Sequence, residues 1–186
     1  MGTSGTFNVR RRSNAAAMAR LGVSLAPDGR ADDPYRCVRS GNGTTLYTIG
    51  YERRTGEDLV SLLIDANVRC LADIRQKPTS RKPDFNEAAL RARCTDAGIA
   101  YTLWTELGST EHQRDRLRET GDMAVFRNRF RAHVRRHKGH ALTRLAKLVR
   151  SEPTALLCYE RQHEECHRAV VADLVAEALN ATVIAL

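Results

Sequence analysis

Short β-rich runs alternate with segments of helical period from Thr45 to Ala185, and this alternation constrains the fold more than any other feature of the chain. Thr45-Leu46-Tyr47-Thr48-Ile49 reads as a strand that ends at Gly50. Glu57–Ala66 then sets Leu59, Leu62, Leu63 and Ala66 at helical spacing. Arg69–Ile74 reads as a second strand. Asn86 stands where an N-cap would open a helix through Ala97, and Gly98 supplies its stop. Ile99–Trp104 is a third strand. Met123, Phe126, Phe130 and Val134 mark the buried stripe of a long basic helix, which Gly139 interrupts before Ala141–Arg150 resumes. Pro153 precedes the apolar strand Thr154–Tyr159. A helix from about Glu164 to Leu179 leads to a last strand, Ala181–Ala185.

This order demands right-handed crossovers and a mostly parallel sheet. The expected fold class is α/β: a three-layer, Rossmann-like arrangement of about five strands flanked by helices. The unbroken run Ala155-Leu156-Leu157-Cys158 suits a strand buried on both faces. Residues 1–44 differ, being rich in Gly, Ser, Asn, Asp and Arg without a sustained period. They read as a basic N-terminal extension, partly irregular, with a short helix over Ala15–Leu21. Residues 45–186 read as a single α/β domain. A chain of 186 residues suits that division and can bury a core without disulfides.

Composition removes several classes. With 42% hydrophobic residues the chain is too apolar to be wholly disordered. No window reaches the roughly 18 apolar residues of a membrane span, so no membrane partner is expected. Arg10–Arg12 precede no apolar stretch, which argues against a secretory signal, and Gly2 with Thr6 matches only a minimal myristoylation pattern. Five cysteines, odd in number and without C-x-x-C, point to reduced thiols and a cytoplasmic location. Cys70 and Cys94 fall in apolar patterns and read as inert core thiols. The net charge of +8 suggests an anionic partner, nucleic acid or a phosphorylated small molecule. An arginine bias of this kind also arises from coding composition.

Ligands of open parallel sheets bind beyond the carboxyl ends of the strands. That rule selects the loops Gly50–Thr55, Asp73–Phe85 and Cys158–Arg168. Gly50 permits close approach to the backbone, and Tyr51 would project into the crevice. Asp73 and Arg75 flank Ile74 and so share a face, as an ion pair or as a bracket for a ligand. Ser80, Arg81 and Lys82 offer donors suited to phosphate or carboxylate. Glu160 is a candidate general acid or base. His167 and Arg168 open a helix whose free N–H groups favour anions.

Cys158, Cys166, His163 and His167 also raise the question of zinc. Their spacing matches no standard finger or ribbon, and Cys158 belongs to a core strand, so neither a metal nor a cofactor is assigned. A nucleophilic Cys158 or Cys166 is disfavoured as well. The loop lacks glycine, no arginine stands six residues after Cys158, and three nearby acids oppose a thiolate.

Taken together, I-G-Y after the first strand, D-I-R-x-x-P-x-S-R-K-P-x-F, E-L-G-S and C-Y-E-x5-C-H-R resemble the domain-of-unknown-function 488 family, in order from about Leu46 to Leu186. The resemblance implies an α/β fold and a shared site. Its pattern maps onto Gly50, Tyr51, Asp73, Arg75, Pro78, Ser80, Arg81, Lys82, Phe85, Leu107, Gly108, Glu160, Cys166, His167 and Arg168. Ser109 and Tyr159 depart from it. It implies no particular chemistry, which has to come from the residues.

The leading expectation is an enzyme acting on nucleic acid or nucleotides, a hydrolase or glycosidase-like protein with a carboxylate pair in a basic pocket. Asp73, Glu160, Tyr51 and His167 would carry catalysis. Gly50, Arg75, Ser80, Arg81, Lys82 and Arg168 would hold the substrate. Arg127, Arg131 and Arg135 would extend a nucleic-acid surface, and Tyr51 or Trp104 would stack on a base. One alternative is a non-catalytic module binding nucleic acid or protein, with the acid–arginine pairs purely structural. The other is a metal- or thiol-dependent enzyme, including a sulfurtransferase-like activity.

Overall fold

The computed structural model describes residues 43–186. Gly2, Arg10–Arg12, the helix expected over Ala15–Leu21 and Cys37 lie outside the described residues. Among these residues all five strands run parallel: β1 Thr45–Gly50, β2 Cys70–Asp73, β3 Ala100–Leu103, β4 Thr154–Cys158 and β5 Thr182–Ala185. Their spatial order is β3-β2-β4-β1-β5. Among the described residues the α-helices are α1 Gly56–Asp65, α2 Glu87–Asp96, α3 Glu111–Thr120, α4 Met123–His137, α5 Gly139–Ser151 and α6 His167–Leu179. The expected α/β class is therefore observed, with a sheet that is wholly rather than mostly parallel.

The sheet is covered on both faces. Phe126, Phe130 and Val134 of α4, Leu145 of α5 and Val171 of α6 pack with Leu46, Ala72 and Leu156. Leu59 and Leu63 of α1 and Leu90 of α2 pack with Ile49, Leu71 and Leu157 on the other side. Leu156 and Leu157 thus serve opposite layers, as the two-residue period of a strand requires. Each fully buried leucine contributes roughly 1.5–3 kcal/mol through removal from water.

Local signals account for most boundaries. Thr55 caps α1 through a reciprocal capping box with Asp58. Asn86 precedes α2 as expected, but its side chain does not cap the helix; its Oδ1 accepts the Ser80 N–H at 2.7 Å. Helix α3 was not anticipated because it buries no residue and so has no apolar stripe, although Thr110 and Gln113 form a second capping box. The last helix starts at His167 rather than near Glu164. Cys166 is its N-cap, and its sulfur accepts the Arg168 N–H at 3.4 Å.

Topology places the site. From β1 the chain crosses to β2, while from β4 it crosses to β5 on the other side. The neighbours β1 and β4 therefore form a switch point, with Gly50 in register with Cys158. No helix among the described residues is long and apolar enough to cross a membrane.

Candidate metal centre

The loop after β4 folds back over the end of β1. A Cβ on Gly50 would lie 1.8 Å from the Glu160 carbonyl oxygen, so only glycine admits the loop at this height. Tyr51 N–H donates to the Cys158 carbonyl at 3.2 Å and Glu52 N–H to that of Tyr159 at 2.9 Å. Beneath the loop, Arg168 donates to the carbonyls of Glu160 and Arg161. The Glu52 carboxylate accepts the Arg161 N–H at 3.1 Å, and Thr48 Oγ1 pairs with His163 Nδ1 at 3.0 Å. Arg168, expected to bind substrate, is 1% exposed and pins this loop through its two terminal nitrogens.

That fold-back gathers Cys158, Glu160, Cys166 and His167. Their ligand atoms all lie within 4.8 Å of one another. Cys158 Sγ is 3.2 Å from Glu160 Oε2 and 3.5 Å from His167 Nδ1, and Cys166 Sγ is 3.8 Å from the same nitrogen. His167 Nε2 sits 3.2 Å from the carbonyl of Ile74. A carbonyl only accepts, so Nε2 carries the proton and Nδ1 is left facing the two sulfurs. Phe130 packs edge-on against this imidazole. Orienting a ligand histidine through its remote N–H is how proteins prepare an imidazole for a metal. His163, part of the zinc set considered from sequence, is instead engaged by Thr48, and Glu160 takes its place.

The electrostatics follow from this crowding. Burial alone would raise the Cys158 thiol, but the hydrogen bond from Cys166 and the charge of His167 outweigh it and hold Cys158 well below its ordinary value. Burial and the adjacent Cys158 thiolate push Cys166 up. Burial, then the negative Cys158, raise the Glu160 carboxyl. For His167, burial opposes protonation and the Cys158 charge more than offsets it, so the imidazole is raised.

Asp73 departs from its expected catalytic role. It is fully buried, and its two oxygens accept the Arg75 main-chain N–H at 3.0 Å, the Arg75 side chain at 2.6–3.1 Å and the Tyr101 hydroxyl at 2.6 Å. A carboxylate this occupied has no oxygen free for water or substrate. Arg75 likewise turns inward, donating to the Phe85 carbonyl at 2.8 Å and to the Tyr51 hydroxyl at 3.3 Å. Burial would depress its guanidinium, yet the bonds and charge of Asp73 raise it. Tyr51 does not project into a crevice either: it is 4% exposed and stacks on Phe85 at 4.4 Å between centroids. Tyr101 is a residue the sequence reading missed.

The remaining expected residues separate. Arg81 and Lys82 are exposed, and Lys82 Nζ reaches the Arg54 carbonyl at 3.2 Å. Ser80 Oγ accepts the Lys82 N–H at 3.1 Å. Arg127, Arg131 and Arg135 ion-pair with Asp173 and Glu177 of α6, which neutralises much of the expected nucleic-acid stripe. Trp104 is buried and donates to Thr102 Oγ1, so its ring is not free to stack on a base. In E-L-G-S, Gly108 packs so closely that a Cβ would sit 2.2 Å from the Gln76 nitrogen. A hollow of about 160 Å³ lies apart from the cluster, between α3 and α4, and only its Phe130 wall backs onto His167.

Fold and site together define an open parallel α/β domain with a thiol–imidazole–carboxylate centre at its switch point. The family model Domain of unknown function DUF488 matches residues 55–175, and the chain belongs to that family. No curated protein and no solved structure matches it.

Proposed function

We propose that this domain is a zinc-dependent hydrolase, in which Cys158, Cys166 and His167 hold the ion and Glu160 shares its fourth position with water. The observation that carries the reading is the approach of both sulfurs to the imidazole nitrogen of His167. A tetrahedral zinc with bonds of about 2.3 Å to sulfur and about 2.0 Å to nitrogen separates its ligand atoms by roughly 3.5–3.8 Å. The sulfur-to-Nδ1 distances here are 3.5 and 3.8 Å. Two thiolates, an imidazole and an exchangeable fourth ligand form a catalytic rather than a closed structural set. Zinc supplies Lewis acidity and brings the pKa of a bound water to about 7. Glu160, half-buried and held above its ordinary value, is suited to take that water's proton when displaced from the metal. Nucleotides or nucleic acid remain the proposed substrate class, supported by the basic balance of the chain. Reduced thiols in this set fit a cytoplasmic protein.

One observation favours a second reading. A Cys158 thiol held low, 3.5 Å from His167 Nδ1, is also the signature of a thiol nucleophile, as in sulfurtransferase-like chemistry. Cys158 is only 5% exposed, which suits a ligand better than an attacking group.

Elemental analysis of the full chain, purified after growth with added zinc, separates the two. The expected result is one zinc per chain, lost in Cys158→Ser. Glu160→Gln should keep the ion while hydrolysis of chromogenic phosphodiesters falls by about 10²–10⁴. Absence of stoichiometric metal, together with rapid alkylation of Cys158 at neutral pH, would replace the zinc reading with the thiol one.

A further inference from the structure

Three guanidinium groups converge beside the proposed metal centre, and three of their buried N–H donors find no acceptor among the described residues. Arg54 follows β1, while Arg161 and Arg168 belong to the segment after β4, so they straddle the switch point. Arg54 Nη2 donates to the Leu186 main-chain oxygen at 2.9 Å, but its Nε and Nη1 are buried without a hydrogen-bond partner. Arg168 is 1% exposed, and its Nε also lacks a partner. Burial, followed by repulsion from Arg161 and Arg168, holds Arg54 below its ordinary value, with Asp58 opposing.

The nearby acids are committed elsewhere. Asp58 accepts the Thr55 N–H in the capping box, and Glu52 accepts the Arg161 N–H. Glu160 faces the thiols. Buried donors without acceptors are rare because each forfeits its hydration without return. Three of them, on two guanidiniums at the ligand-binding edge of an open sheet, point to an oxyanion as the missing acceptor.

We propose that Arg54, Arg161 and Arg168 form an oxyanion subsite that takes a phosphoryl group of the substrate, next to the Cys158–Cys166–His167 centre. As a statement about substrate it rests on the hydrolase reading, while the subsite stands on its own contacts. Arg161, exposed and on the loop, is the arm that admits the anion. Arg54 and Arg168 receive it from below. Lys82, which reaches the Arg54 carbonyl, adds charge at the rim.

Calorimetric titration of the full chain tests this, with inorganic phosphate, adenosine monophosphate and adenosine as probes, on zinc-loaded and metal-free protein. Both phosphorylated probes should bind and adenosine should not. Arg161→Ala and Arg54→Gln should each weaken phosphate by about tenfold or more, as loss of a charged hydrogen bond implies. Zinc content and circular dichroism should stay unchanged, and Arg161→Lys should recover part of the affinity. Tighter binding of the nucleotide than of phosphate would support a nucleotide source for the phosphoryl group, and equal binding would support the bare oxyanion. Phosphate binding by metal-free protein that depends on Arg54 and Arg161 would uphold the subsite even if the zinc reading failed. Zinc-loaded protein that ignores phosphate, or binds it equally well in both variants, would overturn the subsite and leave the zinc reading standing.

Discussion

The two halves of the sheet carry similar chemistry and put it to different use. Around β2, β3 and α2 lie two buried thiols, Cys70 and Cys94, and a strand-end acid, Asp73. Around β4 and α6 lie two more buried thiols, Cys158 and Cys166, and an acid, Glu160. In the first region burial dominates. It raises Cys70 and pushes Cys94 up to about 11, and Asp73 is closed by Arg75 and Tyr101. In the second, Cys158 is buried too yet is held low, because Cys166 and His167 face it. Burial therefore does not separate a thiol that is pushed up from one that is held low. The partners within about 4 Å do, since at low dielectric their charges are weakly screened.

The most damaging way to probe that contrast is Asp73→Asn. It leaves Arg75 buried without a counter-charge, and urea denaturation should show a loss of about 3–5 kcal/mol. Folded protein should still bind zinc normally. A variant as stable as the parent would erase the contrast and return Asp73 to the list of chemical groups.

Gly50→Ala should act on the other half. Its new Cβ collides with the Glu160 carbonyl, so the loop must move, at a cost of up to about 3 kcal/mol. Zinc affinity should fall by roughly 10–100-fold, the range for disturbed ligand positioning. Gly139→Ala, where nothing lies within 4 Å of the added carbon, is the control for a bare methyl group. If both variants bind zinc like the parent, the loop does not position the centre.

The smallest effect concerns Cys94. Its folded pKa is near 11 against an ordinary 9.0, so the native state holds the proton more tightly than the unfolded one. The associated stability is complete below pH 9 and fades as pH rises towards 11, by about 3 kcal/mol at most. Denaturation of the parent and of Cys94→Ala across that interval should give curves that converge with rising pH. Parallel curves would mean that Cys94 is not the enclosed thiol described here.

Much of this was legible along the chain. Period and turn residues located all five strands to within about a residue, and the carboxyl-end rule selected the loop that carries the centre. Glu160 and His167 were named for it, and Gly50 for a close approach. Asp73 misled because an extended strand end looks the same whether its carboxylate faces solvent or is enclosed by Tyr101, 28 residues away. Arg127, Arg131 and Arg135 misled in the same way. Their acidic partners sit on α6, more than 40 positions later. The gathering of Cys158, Glu160, Cys166 and His167 was not legible in their linear spacing, because the loop doubles back over Gly50.

By itself the sequence determined the alternation of strands and helices and the glycine that β1 needs at its end. These depend on backbone preferences and on contacts within a few residues, which are written locally. Only the tertiary structure decided which thiols meet an imidazole, which acid stays open and which guanidinium donors lack acceptors. His167 takes its orientation from Ile74, 93 residues earlier. Charges and hydrogen bonds act through space, and the register of β1 against β4 sets the distances over which they act.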